Sequence, residues 1–189
     1  MTQTLLEIVQ HHFGLEIIET TVPLVTPQPL HEPLLAQWMI EAGRDRIGPK
    51  TNETTRREGI VGQIMLSLPA ALEYSLWMGY PFEVDPMKGL VGECDYLVSR
   101  SPLTFRIHPP VVLIVEVKRT LDRCLPHCLV EMAAAQLFNA STDPIYGVLT
   151  TGLEWQFLKL EGAIVTLEQT IYKLDSLDRV ASILTSMVA

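Results

Sequence analysis

An α/β fold, with a mixed β-sheet core flanked by helices and a helical N-terminal extension, is what this sequence predicts. Three observations predict it. Val111-Val112-Leu113-Ile114-Val115-Glu116-Val117-Lys118 is apolar at six of its eight positions, the mark of a strand covered on both faces. Ahead of it, apolar residues from Ile60 to Leu76 recur mostly at steps of three and four, the helical period. Behind it come a second helical segment and a run of short strands punctuated by turn glycines.

Taken in order, Thr2 to His12 and Glu32 to Ala42 read as helices, the second tolerating Pro33 in its first turn. Pro23 to Pro29 is a Pro-rich connector between them. Residues 1–51 are therefore expected to form an extension or cap, or an oligomer contact, on a compact domain over 52–189. From Asn52, a candidate N-cap, to Tyr80 the pattern predicts one long helix bent at Pro69. Gly92 to Val98 reads as a strand ended by the turn Ser99-Arg100-Ser101-Pro102, and the Val111 strand follows. After Leu125-Pro126-His127 a helix is expected through Ala140. Strands are expected at Ile145–Thr151, Trp155–Leu160 and Ala163–Leu167, with turns at Gly152 and Glu161-Gly162. A last amphipathic helix starts near Asp175 and carries Val180, Ile183, Leu184 and Met187.

Composition agrees with one domain: 189 residues, 48% of them hydrophobic, can bury a substantial core. No apolar run reaches the roughly 18 residues that span a bilayer, which argues against a membrane partner. The amino terminus lacks a basic segment followed by an apolar core, so a cytoplasmic location is expected. Three cysteines suit that compartment. Cys124-Leu125-Pro126-His127-Cys128 offers three ligands where structural zinc takes four, so Cys124 and Cys128 are expected to pack as small apolar residues. His11, His12, His31 and His108 have no matching partners and read as surface or interface residues.

The chemistry concentrates where charge interrupts the apolar strand. Glu116 and Lys118 are two apart, so both leave one face while Val117 points to the other. If the preceding strand is its neighbour, Asp95 in Gly92-Glu93-Cys94-Asp95-Tyr96 can face Glu116. Two converging carboxylates and a lysine resemble the motif of the PD-(D/E)xK nuclease superfamily, the restriction-endonuclease-like fold. Over roughly residues 52–170 the chain looks most like its small stand-alone members, common in cyanobacteria. The resemblance implies a magnesium site, with manganese able to substitute, held by Asp95, Glu116 and the backbone carbonyl of Val117. It implies that Lys118 activates the attacking water. Magnesium takes hard oxygen ligands, keeps several waters and acidifies them, which is why such a site needs carboxylates. The resemblance also suggests Glu58, on the preceding helix, as a further acid, against a solvated glutamate balancing Arg56 and Arg57. It suggests Gln136, on the following helix, as a residue that positions water or lysine, against an exposed helix glutamine. Cys94 replaces the proline of the motif name, a mild change at a position that is not a ligand. No target-reading domain is recognisable, which puts sequence-specific cleavage in doubt.

Net charge is −8, with 14 Lys plus Arg against 22 Asp plus Glu, which argues against an ordinary DNA-binding surface without settling the matter. Local cations remain at Arg44, Arg46, Lys50, Arg56 and Arg57, and at Lys118, Arg119 and Arg123. Two function classes stay open: a metal-dependent endonuclease acting on DNA ahead of RNA, and a non-catalytic interaction module, as a homodimer or assembly subunit, that keeps the fold. A buried Glu116–Lys118 ion pair with no metal is a third reading.

Overall fold

A capping box opens the chain. The Thr4 hydroxyl accepts from the Glu7 amide at 3.2 Å, and the Glu7 carboxylate accepts from the Thr4 amide at 2.7 Å, which starts α1 (Leu5–Phe13). Gly14, at φ 64°, closes it and turns the chain into β1 (Glu16–Thr20). The computed structural model describes residues 4–28, 47, 50–69, 72–102 and 104–189. The helix expected over Glu32 to Ala42, His31, Arg44 and Arg46 lie outside the described residues.

Asn52 accepts from the Thr55 amide at 2.7 Å and caps α2 (Glu53–Arg56). The helix widens into a π turn over Arg57–Val61 and finishes as α3 (Gly62–Leu66). It ends earlier than the expected bend at Pro69. Ser67 turns its hydroxyl onto the Ile64 carbonyl at 2.9 Å, and the residue before a proline is pushed out of helical geometry. Leu72 and Leu76 keep helical spacing in the sequence, yet Leu76 belongs to β2 (Ser75–Asp85). A 3-10 turn over Pro86–Lys88, capped by Asp85 and closed by Gly89 at φ 71°, joins β2 to β3 (Leu90–Ser99) as a hairpin.

Beyond β4 (Val111–Val117), α4 runs over Leu121–Asn139, starting earlier than expected and carrying Pro126 inside it. At its far end the Asn139 amide clasps Val111, donating to its carbonyl and accepting from its N–H, both at 2.8 Å. Then come β5 (Ile145–Thr150), β6 (Glu154–Glu161), β7 (Ile164–Glu168), β8 (Tyr172–Lys173), a 3-10 turn over Leu174–Ser176 and α5 (Leu177–Val188).

The strands form one eight-stranded mixed sheet in the order β1-β7-β6-β5-β4-β3-β2, with β8 on β6. The β4–β5 and β1–β7 pairs are parallel. Two layers of apolar side chains cover it. Leu113, Val115, Val117 and Phe157 pack under α3 and α5, while Ile114, Leu149 and Leu158 pack under α4, with Val9 of α1 in the same cluster. β4 is buried along its whole length, which is why its sequence is continuously apolar. The N-terminal extension differs from its all-helical expectation, because β1 is paired into the sheet. Glu16-Ile17-Ile18-Glu19-Thr20 is too short for a period to declare itself, and its partner β7 lies far along the chain. Among the described residues no helix is long and apolar enough to cross a membrane.

Candidate functional site

The β3–β4 ladder pairs Tyr96 with Val115, and past that pair a side chain takes over from the backbone. The Val117 N–H donates at 2.8 Å to Oδ2 of Asp95. On the other flank, the Lys118 N–H donates to Thr150 O of β5 at 3.1 Å. The end of β4 is thus held by β5 and by a carboxylate. Asp95 reaches it because side-chain alternation slips in β3: Cys94 and Leu97 both join the layer under α4, and Tyr96 and Val98 join the other. Opposite the slip stands Gly79 of β2 at φ 52°, a conformation that side chains with Cβ rarely adopt.

Three oxygens surround the Lys118 ammonium. Nζ pairs with Oε1 of Glu116 in a tight contact, lies 3.9 Å from Oδ2 of Asp95 and donates to the Val117 carbonyl at 3.4 Å. Glu116 is 3% exposed and Asp95 is 9% exposed, so both carboxylates are buried beside this one cation. Burial, then the charges of Asp95 and Glu53, outweigh the opposing Lys118 and raise Glu116 from 4.5 to about 7. Burial works against the Lys118 charge, yet Glu116, Asp95 and Glu53 together hold its pKa above the ordinary lysine value.

Arg57 forms the other wall. Its Nη1 donates to Oδ1 of Asp95 at 2.8 Å and its Nε to Oε1 of Glu58 at 2.9 Å. The π turn sets it there, and the Tyr96 hydroxyl donates to its carbonyl at 2.6 Å. π turns inside helices are often found at functional sites.

The residues expected on the flanking helices are placed differently. Glu58 is 59% exposed and meets Arg57, so it reaches Asp95 only through the guanidinium. Glu53, in the first turn of α2, is the acid of that helix whose charge acts on Glu116 and Lys118. Gln136 is outside the site: with its amide oriented to satisfy both groups, it pairs with the N–H and C=O of Gly162, at 3.1 and 3.0 Å. It braces the β6–β7 turn. The acid that α4 aims at the site is Glu131. Burial first, then Glu116 and Asp95, push its carboxyl well above the usual range, and its Oε2 is buried without a hydrogen-bond partner. The helical spacing of Cys124, Cys128, Glu131 and Ala135 was the available signal, since it puts Glu131 on the buried face.

Cys124 and Cys128 are free thiols in the core. Burial raises the Cys124 thiol to about 12, and its Sγ lies 3.5 Å from Thr150 O. Among the described residues no group of three or more His, Cys, Asp or Glu is arranged to hold a metal. The donor set around Lys118 is nonetheless all hard oxygen, two carboxylates and a carbonyl, which suits magnesium with waters completing its shell. No family model matches this chain, and no curated protein matches it.

Proposed function

We propose that the protein is a magnesium-dependent phosphodiesterase of the PD-(D/E)xK type acting on DNA ahead of RNA. The observation that carries this reading is the convergence of Glu116, Asp95 and the Val117 carbonyl on the Lys118 ammonium. Those are the oxygens that would hold the ion. Bound there, magnesium would acidify a water and offset charge developing on a phosphate. The chain's own residues do the rest. Lys118, tethered by Glu116, presents a cation beside the reacting centre, where it orients the water and stabilises transition-state charge. Arg57 holds Asp95 in place and balances its charge.

The non-catalytic module is favoured by a different observation. Arg57 already occupies Oδ1 of Asp95, and the Val117 N–H already occupies Oδ2, so the charges balance without a metal.

Mutation separates the two. Purified wild type, Lys118→Ala and Glu116→Ala are assayed for divalent-dependent cleavage of single-stranded, duplex and branched DNA and of RNA, with magnesium binding followed by calorimetry. The enzyme reading expects Lys118→Ala to bind magnesium and lose cleavage by about 100-fold or more, and Glu116→Ala to lose both. Equal activity in all three proteins points to a contaminant and leaves the module.

A further inference from the structure

A cleft of about 240 Å³ opens beside the carboxylates, with Glu116 and Lys118 among its lining residues. Its walls come from two elements. The β2–β3 hairpin supplies Phe82 and Leu90, and α4 supplies Val130 and Ala134. Glu93, Cys94, His127 and Glu131 also line the cleft, and Oε2 of Glu131 is buried with no protein partner. A buried polar atom left unpaired is costly in a folded protein, and the residue that carries this one lines the cleft.

Size and charge narrow the ligand. Drug-sized sites run to roughly 300–1,000 Å³, so this cleft has room for one small ring system. Glu93, Glu116 and Glu131 line it against Lys118 alone among lysines and arginines, which disfavours an anion. A flat, neutral group with hydrogen-bonding edges and two apolar faces fits. Building on the phosphodiesterase reading of Asp95, Glu116 and Lys118, we propose that the cleft takes one unstacked nucleobase of the substrate, read at its edge by Glu131. A base inside a duplex has both faces stacked and its pairing edge occupied, so it enters only if extruded. The substrate at that position is therefore single-stranded or locally unpaired nucleic acid.

The test is binding of fluorescein-labelled 12-nucleotide DNA to the full chain, without divalent ions and again with calcium. Three probes are compared: a single strand, its duplex, and a single strand with abasic sites throughout. Wild type is expected to bind the normal single strand at least about tenfold better than the abasic strand or the duplex, the scale of one base held against apolar walls. Val130→Trp, which fills the cleft, should bring the normal-to-abasic ratio close to one. Equal binding of normal and abasic strands by wild type, or no binding to any probe, overturns the proposal, as does a folded Val130→Trp that keeps the tenfold ratio. If that variant does not fold, the wild-type comparison decides alone. Magnesium-dependent cleavage of the same probes by wild type and Lys118→Ala is scored separately. Cleavage lost in Lys118→Ala without base discrimination removes the pocket and leaves the phosphodiesterase. Base discrimination without cleavage supports the pocket and removes the phosphodiesterase reading.

Discussion

Glu116 ionises against the preference of its surroundings. Burial raises it from 4.5 to about 7, so the folded protein holds this proton more tightly than the unfolded chain does. The stabilisation is complete below pH 4.5 and is lost as pH rises through about 7. A rise from 4.5 to about 7 corresponds to at most about 3–4 kcal/mol, and sharing with Lys118 makes the measured figure smaller. In EDTA, urea unfolding at pH 5 and pH 8 should show wild type losing stability relative to Glu116→Gln over that interval. Parallel pH profiles for the two proteins would show that Glu116 titrates normally. A buried ion pair is seldom worth more than apolar packing of the same volume, so Glu116 in β4 and Lys118 just past its end fit a role in chemistry better than one in stability.

At the scale of elements, α4 braces the sheet at three places: Asn139 on Val111, Gln136 on Gly162, and Met132 over Gly147. Gly147 has no room for a side chain, since a Cβ there would meet the Met132 sulfur at 2.6 Å and Leu158 at 2.8 Å. Gly147→Ala is expected to cost about 1–3 kcal/mol, read as a lower denaturation midpoint. Gln136→Ala should cost about 1–2 kcal/mol through its two lost bonds to Gly162 and leave cleavage per folded molecule at the wild-type rate. A drop in rate at an unchanged midpoint would return Gln136 to the site. The strands β3 to β7 were legible because burial on one or both faces writes itself into alternation or into continuous apolar runs. So was the shared face of Glu116 and Lys118, which a two-residue period fixes. β1 and β2 were not. The first is too short, and Leu72 and Leu76 of the β2 region happen to continue a helical spacing that Ser67 and Pro69 interrupt. Glu53 and Glu131 were not legible for a related reason: which helix position meets a sheet edge depends on how the helix lies, and the π turn at Arg57–Val61 shifts the phase.

For the whole molecule, charge sets how nucleic acid is held. A net −8 repels phosphate, and several cations near the site are already engaged. Arg56 is buried at 6% exposure, Arg57 is bound to Asp95 and Glu58, and Lys118 to Glu116. Arg119 and Arg123, flanking the start of α4, and Lys50 are exposed. Each neutralised phosphate releases counterions and adds about 0.9 to the slope of log affinity against log salt on duplex DNA, about 0.7 on a single strand. If these three described residues carry the phosphate contacts, the slope is shallow, about −3 for duplex and about −2 for a single strand. Titrations of both DNA forms between 50 and 200 mM salt, in calcium, measure it, a range over which about −3 costs only some sixtyfold in affinity. A slope steeper than about −6 would require phosphate contacts beyond these three residues.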